Sequence, residues 1–137
     1  MRQGDREYTG IKRRIRFERV NFGYPGATEP ALNDISLDIE RGETVALVGT
    51  SGAGKSTLAD LVPRFYDPTD GRITVDGVDL RDFSMRSVRR AMGVVSQDTF
   101  LFNSSVRYNL MYGSENKTEA DLIDAAKRAN EIGRAHV

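Results

Sequence analysis

Apolar and charged residues alternate from Arg14 to Phe22, RIRFERVNF, a spacing that predicts a strand with one face in water. The segment YPGATEP, Tyr24 to Pro30, breaks the pattern, and alternation returns at Leu32, Ile35, Leu37 and Ile39. Glu40-Arg41-Gly42 then turns the chain into a more uniformly apolar run, Thr44-Val45-Ala46-Leu47-Val48, which predicts a buried parallel strand. Beyond a glycine-rich stretch, Leu58, Leu61, Val62 and Phe65 fall on one stripe of an amphipathic helix. Pro63 lies inside that stripe, where it removes a backbone donor and kinks or ends the helix, so the boundary is placed near Phe65. Asp67 to Gly71 is turn chemistry, and Arg72 to Val75, Asp76-Gly77 and Val78 to Leu80 predict a small antiparallel hairpin. A short helix capped by Ser84 is expected to Arg90, a second buried strand over Met92 to Ser96, and a Thr118-capped helix to Asn130.

Composition narrows the function classes. The chain has 137 residues, with Lys plus Arg and Asp plus Glu at 20 each, so any anion site must be local. There is no cysteine and only one histidine, His136, which excludes disulfide frameworks and thiolate or histidine metal cages. No apolar run approaches the roughly 20 residues needed to cross a bilayer. Residues 1–13 read as a polar linker with little to bury. The basic run Lys12-Arg13-Arg14, with Arg16 and Arg19, raises the alternative of a nucleic-acid-binding arm. Compensating acids elsewhere and the lack of an interleaved aromatic platform favour a solvated face, and no nucleic-acid partner is expected.

The chemistry lies in the glycine stretch. Gly49-Thr50-Ser51-Gly52-Ala53-Gly54-Lys55-Ser56 fits the phosphate-loop pattern between a predicted strand and a predicted helix. Glycines let successive backbone N–H groups curl around a phosphate that side chains would block. Lys55 is expected to reach the β and γ phosphates and Ser56 to ligate magnesium, with Thr57 completing the nucleotide-binding run. A dinucleotide fingerprint would instead end in a third glycine with an acid about 20 residues on.

With those residues in view, the segments ALNDISLDIERGETVALVGTSGAGKST, LVPRFYDPTDGRITVDGVDL and VVSQDTFLFNSSVRYNL resemble an exporter-type ATP-binding cassette domain, colinearly from about Arg14 to Asn130. The resemblance implies an α/β fold, a P-loop NTPase core with a small antiparallel β subdomain, incomplete on its C-terminal side. It implies MgATP as cofactor and ATP hydrolysis driving export in the whole protein. It places Tyr24 as the ring that stacks on adenine and Gln97 as the Q-loop glutamine that contacts magnesium and the attacking water. Phe100-Leu101-Phe102 resembles the stretch that meets the membrane partner's intracellular helices. The implied partners are a transmembrane domain, fused or separate, and a second nucleotide-binding domain. The implied location is the cytoplasmic face of the membrane.

The family's signature loop, Walker B strand, D-loop and switch histidine are not found in the sequence, and no Walker B segment precedes His136. The chain by itself is therefore expected to hydrolyse little or no ATP, having the cradle without a positioned water or base. Residues 14–130 are read as the front part of the domain. Ile132 to Val137 back-translate to ATC GGA AGA GCA CAC GTC, which reads like a sequencing adapter, so residues 131–137 are expected to be a non-native tail. Two rivals stay open, a different phosphate-loop NTPase and a non-catalytic nucleotide-binding truncation.

Overall fold

The computed structural model describes residues 4–95, 100–114 and 117–129. It divides into two units, Met1–Gly93 and Val94–Val137. The first is built on four antiparallel strands, β1 (Arg14–Phe22), β2 (Leu32–Glu40), β3 (Asp70–Val75) and β4 (Val78–Asp79), in the order β2-β1-β3-β4. Helix α1 (Lys55–Leu61), a single 3-10 turn (Leu80–Asp82) and helix α2 (Met85–Arg90) complete it.

Alternation places Ile15 and Phe17 of β1 in the core, and a bulge then moves the buried positions to Val20 and Phe22. The extra residue sits at Arg19, whose φ is 49°. Gly71 lies against the bulge, where a Cβ would strike the carbonyl oxygens of Glu18 and Arg19. Ile73 and Val75 of β3 lie beside β1, and Leu58, Leu61, Leu80, Phe83 and Val88 pack on the same cluster. The basic residues of β1 meet the acids of β2 across the ladder: Arg16 bonds Asp38 at 2.6 Å, Arg14 lies 3.4 Å from Asp38, and Arg19 lies 3.2 Å from Asp34. The hydrogen bond from Arg16 holds the Asp38 carboxyl below its ordinary pKa.

The expected hairpin is present. Asp76 (φ 52°) and Gly77 (φ 83°) both have positive φ, as a type I′ turn requires. The Asp76 carboxylate accepts backbone N–H bonds from Lys12 and Arg13 at 2.8 Å and from Arg14 at 2.9 Å. Burial pulls its pKa up, but the three backbone donors outweigh that and lower it.

Four expectations need correction. Residues 1–13 were expected to bury little, yet Tyr8 is in the core, meets Phe83 edge-on at 5.5 Å and donates its N–H to Ser87 Oγ at 2.9 Å. A lone aromatic in a polar segment has no periodicity to announce it. Thr44–Val48 forms no ladder: Val45 and Leu47 line an apolar pocket with Phe17, Leu58 and Val62, whereas Val48 is 92% exposed. A buried parallel strand needs hydrogen-bonded neighbours, and none pairs with it among the described residues. The same holds for Met92 to Val95, where Val94 and Val95 are exposed; Ser96 lies outside the described residues.

Helix α1 ends at Leu61 rather than near Phe65. The bend through Pro63 gives Arg64 a φ of 55° and turns its side chain inward, where it is 1% exposed. Its guanidinium pairs with Asp67 at 2.9 Å and donates to the Leu80 and Phe83 carbonyls at 3.4 Å. Arg89 in turn donates to the Pro63 and Arg64 carbonyls at 3.0 and 2.6 Å, fixing this bend to α2.

The second unit contains α3 (Val106–Met111) and α4 (Glu119–Arg128). The Thr118 cap is a full capping box with Asp121. Asn109 ties the preceding loop down, accepting from Phe102 N–H at 2.7 Å and donating to its carbonyl at 3.1 Å. Phe102 packs on Tyr112 at 4.4 Å, while Phe100 and Leu101 are 78% and 68% exposed.

Candidate nucleotide-binding site

The expected loop residues Gly49 to Gly54 form one connection into α1, whose first two residues are Lys55 and Ser56. Two of its glycines, Gly52 and Gly54, have φ of 81°, a conformation that side chains resist. Their surroundings differ. A Cβ on Gly52 would meet open space, whereas one on Gly54 would lie 2.5 Å from the Ala31 carbonyl oxygen and 2.8 Å from Leu32 Cδ2. Gly54 thus lets the helix start press directly against the entry to β2, and Gly52 keeps the outer side of the loop open.

Lys55 curls back over the loop, its Nζ donating to the carbonyls of Gly49 at 2.9 Å and Thr50 at 2.7 Å. This folds the ammonium back onto the first two residues of the loop. Thr50, Ser51, Ala53 and Ser56 are exposed, so the loop's outer surface and the Ser56 hydroxyl face solvent.

Thr57 is buried, and its hydroxyl lies 3.0 Å from the Tyr24 hydroxyl. That bond ties the irregular segment after β1 to the first turn of α1. Tyr24, the expected adenine-stacking ring, is therefore joined to the phosphate loop's own helix. It also meets two further rings edge-on, Phe22 at 5.0 Å and Tyr66 at 5.4 Å. Sequence reading passed over Tyr66 because it follows the helix-ending bend and belongs to no periodic stripe; the signal available was the adjacent aromatic pair Phe65-Tyr66 just after Pro63.

Gln97 lies outside the described residues, as do His136 and residues 131–137. Among the described residues no three His, Cys, Asp or Glu side chains gather as a metal cage. The loop's donor set suits a magnesium ion carried by phosphate oxygens, with the Ser56 hydroxyl as its protein ligand.

The sequence matches the ABC transporter family over residues 32–136. It is 53% identical over 132 residues to the heterocyst differentiation ATP-binding protein HepA of Nostoc sp., a match that covers 96% of this chain and 22% of that protein. It is 54% identical over 123 residues to an ATP-dependent lipid A-core flippase of Thiobacillus denitrificans, covering 90% of this chain and 21% of the relative. The structure superposes on a bacterial Atm1-family ABC exporter with ATP bound, with a TM-score of 0.87 at 38% identity, over 100% of this chain and 25% of that one. The chain thus spans about a quarter or less of the length of these proteins. With a phosphate loop, an antiparallel subdomain beside it and these matches, the chain belongs to the ABC transporter family.

Proposed function

We propose that this chain binds MgATP and forms the nucleotide-gripping part of an exporter ATPase that, in the longer protein, couples ATP hydrolysis to outward transport. The observation that carries the reading is the link between the loop and its base platform: Tyr24 bonds Thr57 within a unit whose Lys55 ammonium folds back onto the carbonyls of Gly49 and Thr50. Lys55 and the loop amides would hold the β and γ phosphates, Ser56 would ligate magnesium, and Tyr24 would carry the base. Gln97 is assigned to the magnesium and attacking water on the strength of the family resemblance.

Hydrolysis needs a positioned water and charge stabilisation that these residues do not complete, so the chain alone turns over little or no ATP. Thr44–Val48 and Met92–Val95 expose apolar residues without a ladder, which supports the view that further strands of the longer protein pair with them. The further partners proposed are a transmembrane domain and a second nucleotide-binding domain, at the cytoplasmic face of the membrane. The exposed Phe100 and Leu101 support contact with the membrane part. No helix among the described residues is long and apolar enough to cross a membrane. The pairing of Arg14, Arg16 and Arg19 with strand acids argues against a nucleic-acid role.

Competition between nucleotides tests the reading. A fluorescent ATP analogue bound to the chain in magnesium should be displaced by ATP, and Lys55→Ala should abolish its binding. Displacement by GTP in preference to ATP would point to another class of phosphate-loop enzyme. Magnesium-dependent turnover by the chain alone, lost in Lys55→Ala, would overturn the expectation of inactivity.

A further inference from the structure

We propose that Tyr66 is a positioning residue for the base platform, fixing the tilt of the Tyr24 ring on which a purine stacks; this rests on the nucleotide-binding reading above. Tyr24 follows Gly23 and precedes Pro25-Gly26 in a segment without a ladder, so regular backbone does not set its ring. Its side chain is held instead by the Thr57 hydroxyl, by Phe22 at 84° and by Tyr66 at 86°. Phe22 is 4% exposed at the end of β1 and forms the fixed base of the trio. It also meets Tyr66, at 5.3 Å. Two perpendicular neighbours restrict a ring's tilt in a way that one hydrogen bond at its tip does not.

Tyr66 sits on a bend that an ion pair closes. It lies between Arg64 and Asp67, whose ion pair closes the bend at 2.9 Å with Arg64 buried beneath it. Yet Tyr66 as a residue is 38% exposed, as is Tyr24. A half-exposed ring adds little to core burial, and its two aromatic contacts both lie within the Tyr24 platform. The bend after α1 thereby carries a ring from the helix's far end back to the base side of the site.

The test is calorimetric titration of the wild-type chain and Tyr66→Phe, Tyr66→Leu and Tyr66→Ala with MgATP and with magnesium tripolyphosphate, which lacks a base. Tyr66→Leu keeps apolar bulk without an aromatic edge, so it reports even where the alanine variant unfolds. Tyr66→Leu should weaken MgATP by roughly 3- to 10-fold while leaving tripolyphosphate unchanged, and Tyr66→Phe should bind both as wild type does. Unchanged MgATP affinity in Tyr66→Leu, or an equal loss for both ligands, would overturn the proposal. A wild-type chain that binds neither ligand overturns the nucleotide reading itself; one that binds both while Tyr66→Leu loses no base selectivity overturns this inference alone.

Discussion

The hydroxyls of Tyr24 and Thr57 lie 3.0 Å apart, joining the segment after β1 to the first turn of the helix that leaves the phosphate loop. Under the proposed nucleotide-binding reading, the base side and the phosphate side of the site are thus joined directly. Tyr24→Phe keeps the ring and loses this bond, so it should lower stability by about 1 kcal/mol in urea unfolding while preserving most MgATP affinity. Tyr24→Ala removes the stacking surface and should weaken MgATP by about tenfold or more, with little effect on tripolyphosphate.

Gly52 and Gly54 share a φ of 81° but differ in what surrounds them, which separates folding from binding. Gly54→Ala drives a Cβ into the Ala31 carbonyl and should destabilise the unit by about 2–3 kcal/mol. Gly52→Ala meets open space, so its stability loss should stay near about 1 kcal/mol while phosphate affinity falls. Thermal melting with and without MgATP distinguishes the two.

How much of this was legible in the sequence differs from element to element. β1, β2 and the Asp76-Gly77 hairpin followed from alternation and turn chemistry, because antiparallel strands with one wet face carry their own pattern. The bulge at Arg19 is written only as the adjacent charges Glu18-Arg19 between Phe17 and Val20. The runs Thr44–Val48 and Met92–Val95 have strand composition, but a parallel strand exists only with its neighbours, so their letters could not settle their pairing. The glycine turn leading into α1 was legible at Gly52 and Gly54, whose positive φ side chains resist. The Tyr24–Tyr66 contact was not, since it depends on a bend that Pro63 and the burial of Arg64 create together.

Arg64 anchors that bend with its guanidinium inside the protein, paired with Asp67 and bonded to two carbonyls. Arg64→Met would leave those acceptors and the Asp67 carboxylate without their donor. Urea unfolding should show a loss of about 3 kcal/mol, and Asp67→Asn a smaller one.

Asp76 gives the fold a pH-dependent stability. Its folded pKa is depressed by the N–H groups of Lys12, Arg14 and Arg13 against an opposing burial effect, so it stabilises the fold above its ordinary value and that contribution is lost as pH falls through the depressed one. Asp76→Asn keeps the Asn-Gly turn but cannot accept all three bonds, and should cost about 1 kcal/mol at neutral pH. The gap between variant and wild type should narrow as pH is lowered below about 4. A gap that stays constant to low pH would contradict this assignment.

In the proposed function the Gly49–Ser56 loop grips the phosphates of MgATP through the Lys55 ammonium, which here rests on the Gly49 and Thr50 carbonyls. The most direct measurement is calorimetric titration of MgATP into the wild-type chain and into Lys55→Ala, with the melting temperature of each recorded alongside. Saturable binding to the wild type is expected, with its loss in a variant that melts at nearly the same temperature. Equal affinity for the two proteins would contradict it.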